Sequence, residues 1–486
     1  MQKLSTLLLV VAAFTAIEAS SSETAPIRQF ERNFHAISDP SSAPFQPLLS
    51  DTSGLFSFGF LEVNGSQIDL AVVHLPSGKP VWRAAPATAQ PALWSSGATL
   101  SFNGSLVLSD SKAGVLWSSS GVTSGDRVIL LNSSNLQIVK LAETTSVLWQ
   151  SFDFPSDTIV QAQNFTSTAA LFSDGRRYSM RLGDKYLALF MEFGQGVESP
   201  MYWKRTAMEI KSQIVAGDGP IYVRIDPTGF LGFYQKEGSL IDVVSFDSFN
   251  RGITGFRRVT LEDDGDLRGY FWNGTIWVKD FVAIDQFCGL PRACGSYGLC
   301  NEDEQKCGCI DGRKDGCFSP YSGELCLGKD GFWPLRRNGV ELPNKEWLES
   351  VKMEAWGHCE ESCERNCSCR GAFYNNATGY CYRMNYPVQT VVAVGDENEM
   401  GYFKVSNSEI DGGGGVGNRR RKMVALVVVG VVVAAAGIVV GAWGLRRVRR
   451  RARGDRFTAE GLPSGPYKDL NSASFRSVEL AGSFRK

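Results

Sequence analysis

A run of 21 apolar residues, Met423 to Trp443, is the feature that most limits how this chain can fold. A helix rises about 1.5 Å per residue, so the run matches the ~30 Å hydrocarbon core of a bilayer. It contains no charged residue, and basic clusters close both of its ends. A buried core helix is the alternative, but such helices are usually shorter. The run therefore predicts a transmembrane helix over 423–443.

The N-terminus predicts a matching topology. Lys3 precedes an apolar stretch from Leu7 to Ile17, and small residues follow it, which is the pattern of a secretory signal peptide over 1–19. Basic residues flank the apolar run on both sides, so the charge bias favours a cytoplasmic C-terminus only weakly. The signal peptide therefore sets the orientation. We expect a single-pass type I protein of the plasma membrane with its N-terminal part outside the cell. A Gly-rich juxtamembrane linker is expected at 406–422 and a disordered cytoplasmic tail at 444–486.

The twelve cysteines all lie between Cys288 and Cys381, and their number is even. This clustering predicts a local disulfide framework in an oxidising compartment. A zinc site would need C-x2-C pairs, whereas the close pairs here have one or three intervening residues, so no metal is predicted. Seven N-x-S/T sequons precede the apolar run and predict N-glycosylation: Asn64, Asn103, Asn132, Asn164, Asn273, Asn366 and Asn376.

Short apolar segments separated by Gly, Ser, Asn and Asp recur about every ten residues before the first cysteine. They predict the strands Ser105–Ser109, Gly114–Trp117, Arg127–Leu131, Leu136–Lys140 and Ser146–Trp149. Regular spacing of this kind predicts an all-β sandwich, barrel or prism.

Two sequence echoes indicate internal repetition. The first places Trp94, Trp117 and Trp149 before short polar segments, and the second repeats an acid-x-x-Gly-x-Leu-x-x-Tyr string from Asp226 and from Glu262. We interpret the tryptophans as core residues rather than a ligand platform, because large aromatic side chains dominate burial in small β domains.

Five longer strings carry a family resemblance. NGSLVLSD (103–110) and VLWQSFDFPSDT (147–158) resemble the bulb-type lectin region of plant S-locus glycoproteins and S-domain receptor kinases, and RVTLEDDGDLRGYFWNGTIWV (258–278) resembles their second domain. CGLPRACGSYGLC, from Cys288, is similar to the start of an EGF-like module. CEESCERNCSC, from Cys359, is similar to a plant PAN/apple domain.

The resemblance implies an all-β ectodomain. Two tandem bulb-lectin-like β-prism domains would occupy 30–155 and 156–285, followed by an EGF-like module at 286–320 and a PAN/apple domain at 326–405. A short helix is expected around Cys359 and Cys363, because residues at i and i+4 share one helix face.

The resemblance also implies disulfide pairings, although spacing alone would allow fifteen connectivities in each set of six cysteines. The implied pairs are Cys288 with Cys300, Cys294 with Cys307, Cys309 with Cys317, Cys359 with Cys381, and Cys363 with Cys369. Cys326 and Cys367 remain, and their pairing stays open.

Mannose-binding bulb lectins carry the strand pattern Q-x-D-x-N-x-V-x-Y. One frame in this chain gives Ser101, Asn103, Ser105, Val107 and Ser109, and another gives Leu131, Ser133, Asn135, Gln137 and Val139. Each frame keeps one of the five residues, and both lose the carboxylate that accepts hydrogen bonds from sugar hydroxyls. Loss of a hydrogen bond to a charged group costs about 1.5 to 3 kcal/mol, so we expect no mannose binding at these strands.

No pattern of catalytic residues appears. The tail has no H-R-D or D-F-G motif, and the glycines at 412, 414 and 417 follow no strand, so we expect a linker there and no kinase domain. Only three histidines are present, and no G-x-S-x-G or H-E-x-x-H motif occurs. The acidic cluster at 262–266 is predicted to be a solvated β turn. We therefore expect no enzyme activity and no catalytic, cofactor or metal site.

The sequence thus predicts a kinase-lacking cell-surface glycoprotein that acts as a receptor-like or co-receptor recognition module. It would bind an extracellular ligand, protein or glycan, or a partner receptor through its lectin-like and PAN domains. An active membrane lectin for mannose or cell-wall glycans is the alternative, and a structural tether between wall and membrane is a third. Gly437 and Gly441 form a G-x-x-x-G pair that would permit packing with a receptor kinase helix or a second copy of the chain. The acidic ectodomain argues against nucleic-acid binding.

Overall fold

The computed structural model describes residues 27–406, apart from 42, 85–92, 95–96, 120, 143, 195, 208–220, 236–237, 315, 320–324 and 327–331. The predicted signal peptide, transmembrane helix and tail, and residues 407–422 of the predicted linker, lie outside the described residues. Within the described part of the chain, no helix is long and apolar enough to cross a membrane.

Residues 27–155, here called the first β region, form three four-stranded antiparallel sheets. Their strands are β1 (Gln29–Glu31), β2 (Phe34–Ile37), β3 (Phe45–Ser50), β4 (Phe56–Val63), β5 (Gln67–His74), β6 (Lys79–Arg83), β7 (Thr99–Phe102), β8 (Leu106–Asp110), β9 (Gly114–Ser118), β10 (Arg127–Leu130), β11 (Leu136–Lys140) and β12 (Ser146–Gln150). The sheet orders are β1-β10-β11-β12, β2-β7-β8-β9 and β3-β4-β5-β6. The five predicted strands are confirmed, with ends within one residue.

Alternation along these strands builds one shared core. On β8, Leu106 and Leu108 are fully buried while Val107 and Ser109 are half-buried, because successive side chains point to opposite faces. Phe58, Leu108 and Ile138, one from each sheet, belong to the same apolar cluster. The three sheets therefore enclose a common interior.

Three tryptophans meet where the last strands of the three sheets converge. Trp82, Trp117 and Trp149 occupy the fourth position of β6, β9 and β12, and their ring centroids lie 5.9 to 6.0 Å apart in edge-to-face contact. The predicted echo through Trp94 is therefore wrong, although Trp94 is buried. The three sheets are related by a tryptophan at the same position of their last strands.

Residues 156–285, the second β region, again form three antiparallel sheets. The strands are β13 (Thr158–Val160), β14 (Ala170–Phe172), β15 (Tyr178–Leu182), β16 (Tyr186–Met191), β17 (Met201–Thr206), β18 (Tyr222–Asp226), β19 (Phe230–Tyr234), β20 (Leu240–Ser245), β21 (Arg257–Leu261), β22 (Leu267–Trp272) and β23 (Trp277–Val282). The orders are β13-β21-β22-β23, β14-β15-β16-β17 and β18-β19-β20. The second echo marks equivalent hairpin turns, in which Gly229 and Gly265 have φ of +101° and +93°, a region that favours glycine.

Residues 286–406, the cysteine region, contain two sheets and a helix. The elements are β24 (Gly298–Asn301), β25 (Lys306–Cys309), β26 (Phe332–Asn338), β27 (Val340–Glu341), β28 (Ser350–Lys352), α1 (Trp356–Glu364), β29 (Gly371–Asn375), β30 (Tyr380–Met384), β31 (Val391–Ala393) and β32 (Glu399–Ser406). The sheet orders are β25-β24-β31-β27 and β26-β32-β29-β30-β28. Helix α1 confirms the predicted short helix, with Cys359 and Cys363 buried. Short 3-10 turns lie at Ser151–Asp153, Phe287–Gly289 and Lys345–Trp347.

The cysteine region does not divide cleanly at the predicted module boundary. Strand β24 comes from the predicted EGF-like module and pairs in parallel with β31 of the predicted PAN domain. One apolar cluster also runs from Leu189 of the second β region through Ile310 to Phe403. The second β region and the cysteine region therefore share a continuous core.

All twelve cysteines are joined in six disulfides. The bonded pairs are Cys288–Cys300, Cys294–Cys307, Cys309–Cys317, Cys326–Cys367, Cys359–Cys381 and Cys363–Cys369. Five of these are the pairs that the family resemblance implies, and the sixth joins the two cysteines left open. The Cys359–Cys381 bridge fastens α1 to β30.

Candidate functional site

A cleft of about 680 Å³ lies where the first β region meets the second. Its walls come from β5 and β6, from the connection at 153–157, and from the β14–β15 hairpin. The cleft has the size of a small-ligand site. It contains both aromatic and charged side chains.

The aromatic wall is the tryptophan triangle extended by Phe154. The Trp82 Nε1–H donates to the Phe154 carbonyl oxygen at 2.7 Å, which holds the connection against β6. The Phe154 ring stacks on Trp149 with centroids 5.7 Å apart, yet 51% of Phe154 is exposed. An exposed ring on a fixed aromatic base offers a rigid apolar surface to a ligand.

The charged wall is organised by Arg83. Its Nε–H donates to Asp69 Oδ2 at 2.9 Å, and its Nη1 pairs with Asp174. Burial opposes the charge on Arg83, but the two carboxylates raise its pKa above the ordinary value. Asp69 is buried, whereas half of the Asp174 side chain is exposed. Asp174 is therefore the part of this ion-pair network that a ligand can reach.

Further ionisable groups line the cleft. Burial raises the pKa of Asp157 above its ordinary value, against hydrogen bonds that include one from Ser156 Oγ at 3.0 Å. The exposed Arg176 guanidinium lies 4.4 Å from the Phe172 ring centroid. Asp263 is exposed and accepts a hydrogen bond from the Gly175 N–H at 2.7 Å. The rim thus presents charge of both signs around the aromatic wall.

Neither predicted mannose frame lies on a single strand. The frame from Ser101 to Ser109 crosses the turn between β7 and β8, and the frame from Leu131 to Val139 crosses the turn between β10 and β11. In the second frame, the amides of Asn135 and Gln137 both donate to Gln150 Oε1, at 2.9 and 3.2 Å. These polar groups already bond within the protein.

A third frame was missed by the sequence reasoning. Gln67, Asp69 and Val73 match three of the five letters of the same pattern, and all lie on the one strand β5. The pattern read from Gln67 was the available signal. Asp69, Ala71 and Val73 are at most 1% exposed, and Asp69 is paired with Arg83. This strand is therefore closed to a sugar in the structure.

The predicted sequons are mostly at the surface. Asn64, Asn103, Asn132, Asn164, Asn273 and Asn376 are exposed, and Asn366 is half-buried. Among the histidines, His35 and His358 are exposed, while His74 packs against Trp272 with centroids 5.1 Å apart. Burial and the nearby Arg258 lower the pKa of His74. It is a neutral contact between the first and second β regions.

The acidic turn at 262–266 departs from the prediction. Asp266 is only 2% exposed, so the prediction of a solvated turn is wrong for this residue. Its Oδ1 accepts hydrogen bonds from the N–H groups of Ala283 and Ile284, at 3.2 and 3.1 Å. Its Oδ2 pairs with Arg268. The carboxylate is thus a structural brace between β22 and β23.

Lys404 was also missed. It is fully buried on β32, where its Nζ donates to the carbonyl oxygens of Leu325, Glu364 and Asn366 at 3.1, 3.1 and 2.9 Å. Burial lowers its pKa to about 8. The available sequence signal was a lysine between the apolar residues Phe403 and Val405. This ammonium group ties β32 to the end of α1 and to the Cys326–Cys367 bridge.

The cysteine region also exposes large apolar side chains. Val351 on β28 is 44% exposed and Tyr380 on β30 is 41% exposed. The two strands pair with each other, and β28 is the edge strand of the sheet. Trp333 on β26 is 45% exposed. A partly apolar edge of this kind suits contact with another protein.

Three family models match the chain in order. They are the D-mannose binding lectin model at residues 80–178, the S-locus glycoprotein domain at 237–316 and the PAN-like domain at 326–383. The S-locus match extends across the first five cysteines. Lectin-like, S-locus glycoprotein and PAN domains are therefore present, and lectin and PAN domains are non-catalytic.

Relatives in Arabidopsis thaliana match most of the chain. A PAN domain-containing protein is 41% identical over 460 residues, covering 94% of this chain and 93% of its own length. A G-type lectin S-receptor-like serine/threonine-protein kinase is 26% identical over 425 residues, covering 78% of this chain and 49% of its own length. The chain thus spans about half the length of the kinases that it matches.

Among solved structures, the two-domain fetuin-binding lectin of Scilla campanulata is 13% identical to this chain. The match covers 52% of this chain and 93% of that one. Its TM-score is 0.19, too low to support an argument about fold or function. The sequence relatives and the three ordered domains confirm the resemblance seen in the sequence. The chain belongs to the plant S-locus glycoprotein and G-type lectin S-receptor family, as a PAN domain-containing member.

Proposed function

We propose that this protein is a cell-surface recognition module, receptor-like or a co-receptor, without kinase activity. It would span the plasma membrane once through 423–443, with the signal peptide removed and residues up to 422 outside the cell. Its ligand would be an extracellular protein or the ectodomain of a partner receptor. Signalling would then pass through a receptor kinase, or through a second copy of this chain, packed against the Gly437 and Gly441 face.

The finer architecture is part of the proposal. The two three-sheet regions would be tandem β-prism domains at 30–155 and 156–285, followed by an EGF-like module at 286–320 and a PAN/apple domain at 326–405. The seven sequons would carry N-glycans. These assignments are supported by the repeated three-sheet arrangement, the six disulfides and the exposure of most sequon asparagines.

The main support for this function is a contrast between two parts of the molecule. The segments that match the mannose-binding pattern are not accessible to a sugar, whereas the adjoining cleft is open. Hydrogen-bonding groups that a bulb lectin would offer to mannose are bonded within the protein at Asp69 and Asn135. The adjoining cleft instead exposes Phe154 and Asp174. Recognition through that cleft, with the apolar edge at Val351 and Tyr380 as a second contact, fits a protein ligand with mixed apolar and charged groups.

Proximity labelling on intact plant cells tests the protein-partner function. The full chain, carrying the labelling enzyme on its extracellular side, is compared with the double variant V351D/Y380D and with the control E397A, at an exposed turn residue outside every sequon. We expect an extracellular or receptor protein to be labelled by the wild type and the control, and at least fivefold less by the double variant. Equal labelling by all three chains, with normal surface levels, would refute a role for this edge.

Glycan binding in the cleft is the second candidate function. It is favoured by the Phe154 ring stacked on Trp149 beside the Asp174 carboxylate, since sugars bind through an apolar ring face and hydroxyls bonded to carboxylates. A cell-wall glycan array probed with the full-length protein would report it. Binding that F154A abolishes and V115A leaves unchanged would support this candidate, because Val115 is an exposed residue outside the cleft.

A further inference from the structure

A smaller pocket, of about 220 Å³, lies between the second β region and the cysteine region. One side is formed by residues at the start of β15 and the end of β16 and just outside them, and the other by Arg292, Ser296 and Gln389. It is separate from the cleft at the first β region, because the two cavities share no lining residue.

Two guanidinium groups line this pocket without a carboxylate partner. In the described part of the chain, Arg177 and Arg292 form no ion pair, and both are exposed. The carboxylate in the pocket wall, Glu192, is already engaged by Arg181 and by the hydroxyls of Ser179 and Ser199. Among the acids of the neighbouring turn, Asp264 pairs with Arg268 and Asp263 accepts from the Gly175 N–H. The pocket therefore keeps two positive charges that no nearby acid pairs with.

Two hydroxyls add donors at the same place. Tyr178 is only 1% exposed, and its Oη has no hydrogen-bond partner among the described residues. The same holds for the buried Oγ of Ser296. Buried polar atoms are nearly always hydrogen-bonded, so two unpartnered hydroxyls on residues that line one pocket call for an explanation. Burial raises the pKa of Tyr178 to about 12, which keeps its hydroxyl a donor at any physiological pH.

The remaining wall is apolar. Met191 and Phe193 line it, and Phe193 is fixed by stacking on Tyr386 with centroids 5.6 Å apart. Arginine pairs suit carboxylates because the planar guanidinium can donate two parallel hydrogen bonds to one carboxylate. A ring lying on Phe193 would direct an attached carboxylate toward Arg177 and Arg292.

We propose that this pocket binds a small ring-borne carboxylate, of the chemical class of the hexuronic acids. Its carboxylate oxygens would accept hydrogen bonds from Arg177, Arg292 and the Tyr178 hydroxyl, and its ring would rest on Phe193. Because the ligand contacts both the second β region and the cysteine region, it would also stabilise their junction. This site goes beyond the proposed function and does not depend on it.

Isothermal titration of the full-length protein with D-galacturonate tests the proposal, with D-galactose as the neutral match and sulfate as a simple anion. We expect saturable binding of galacturonate only, and a higher melting temperature when it is bound. R292Q and Y178F should each weaken binding at least tenfold. The control R251Q, an exposed arginine outside the pocket, should leave it unchanged.

Three results would overturn the proposal. They are no saturable binding of galacturonate, equal binding of sulfate or galactose, and equal affinity in R292Q or Y178F. Y178F retains the aromatic ring, so a loss of affinity at an unchanged melting temperature of the free protein separates a lost hydroxyl from misfolding. The cleft variant F154A should bind galacturonate normally, so failure here is distinguishable from failure of the proposed function.

Discussion

The first β region and the cysteine region are stabilised in different ways. The first contains no cysteine and encloses Phe58, Leu108 and Ile138 among three sheets at 0% exposure. The cysteine region carries six disulfides and a fully buried lysine, and the apolar cluster beneath α1 is built largely from cystines. Small modules bury too little apolar surface to be stable alone, and disulfides compensate for this. The comparison teaches that the stability of the cysteine region depends on the redox compartment, whereas that of the first β region does not.

The largest expected effect comes from reduction. Each bridge contributes typically about 2 to 4 kcal/mol, so reducing six of them should unfold most of the cysteine region. We expect hydrogen exchange in dithiothreitol to show loss of amide protection at 298–309 and 371–384, with β4 and β5 still protected. Simultaneous loss in both regions would contradict the comparison.

The complementary prediction is a cavity in the first β region. Phe58 is fully buried, so F58A should lower the free energy of unfolding of this region by about 3 to 5 kcal/mol. Urea denaturation followed by tryptophan fluorescence would report it, and the loss should be equal with and without reductant. V115A, at a residue 64% exposed, is the matched control and should change stability by less than about 0.5 kcal/mol.

Lys404 sharpens the comparison within the cysteine region. K404M would leave three carbonyl oxygens without their donor, so we expect a loss of about 3 kcal/mol at pH 7 by urea denaturation. A methionine fits the site in length, so a change below about 0.5 kcal/mol would show that the ammonium group does not brace this region.

The same residue predicts a pH dependence. Its pKa is about 8 in the folded protein, against an ordinary value of 10.5 for a lysine of the unfolded chain, so from about pH 8 to 10.5 the unfolded state binds more protons. Relative to the neutral amine, the buried charge on Lys404 therefore lowers the stability of the fold, most of all below pH 8, and this penalty is relieved as pH rises. The stability of the wild type relative to K404M should grow between pH 8 and 10.

Lys345 provides the opposite case. Although burial acts against its charge, Glu341 and Glu399 raise its pKa, so its stabilising contribution should be lost as pH rises through that folded pKa. The difference in free energy of unfolding between the wild type and K345M should therefore not increase between pH 8 and 10. A parallel trend for both lysines would contradict the assignment for Lys404.

The smallest expected effect on stability is at the cleft. F154A removes a ring that is half exposed, so the free energy of unfolding should fall by less than about 1 kcal/mol. Thermal unfolding monitored by circular dichroism would check this. A larger loss would mean that Phe154 serves mainly to join the first two β regions rather than to face a ligand.

Much of this organisation was predictable because its signals are local. Strand spacing predicted β8 to β12, and the i, i+4 cysteines predicted α1. The motif strings predicted the family. The sequence echo included Trp94 and omitted Trp82, whereas the structure brings Trp82 together with Trp117 and Trp149.

The candidate sites were harder to predict because they combine distant segments. Arg83 meets Asp174 across 91 positions, and Arg292 reaches a pocket formed by Tyr178. No local pattern encodes such contacts. Burial of Asp266 and Lys404 likewise depends on tertiary packing, which a polar letter in a sequence does not reveal.

The central claim is that this family member recognises an extracellular ligand without using the mannose frames of bulb lectins. The most direct test is binding of the full-length, glycosylated protein to mannose-rich glycans, with free mannose as competitor and with its disulfides intact. The account predicts no saturable, mannose-competed binding. Saturable binding that free mannose competes away would contradict it and would make the protein a mannose lectin.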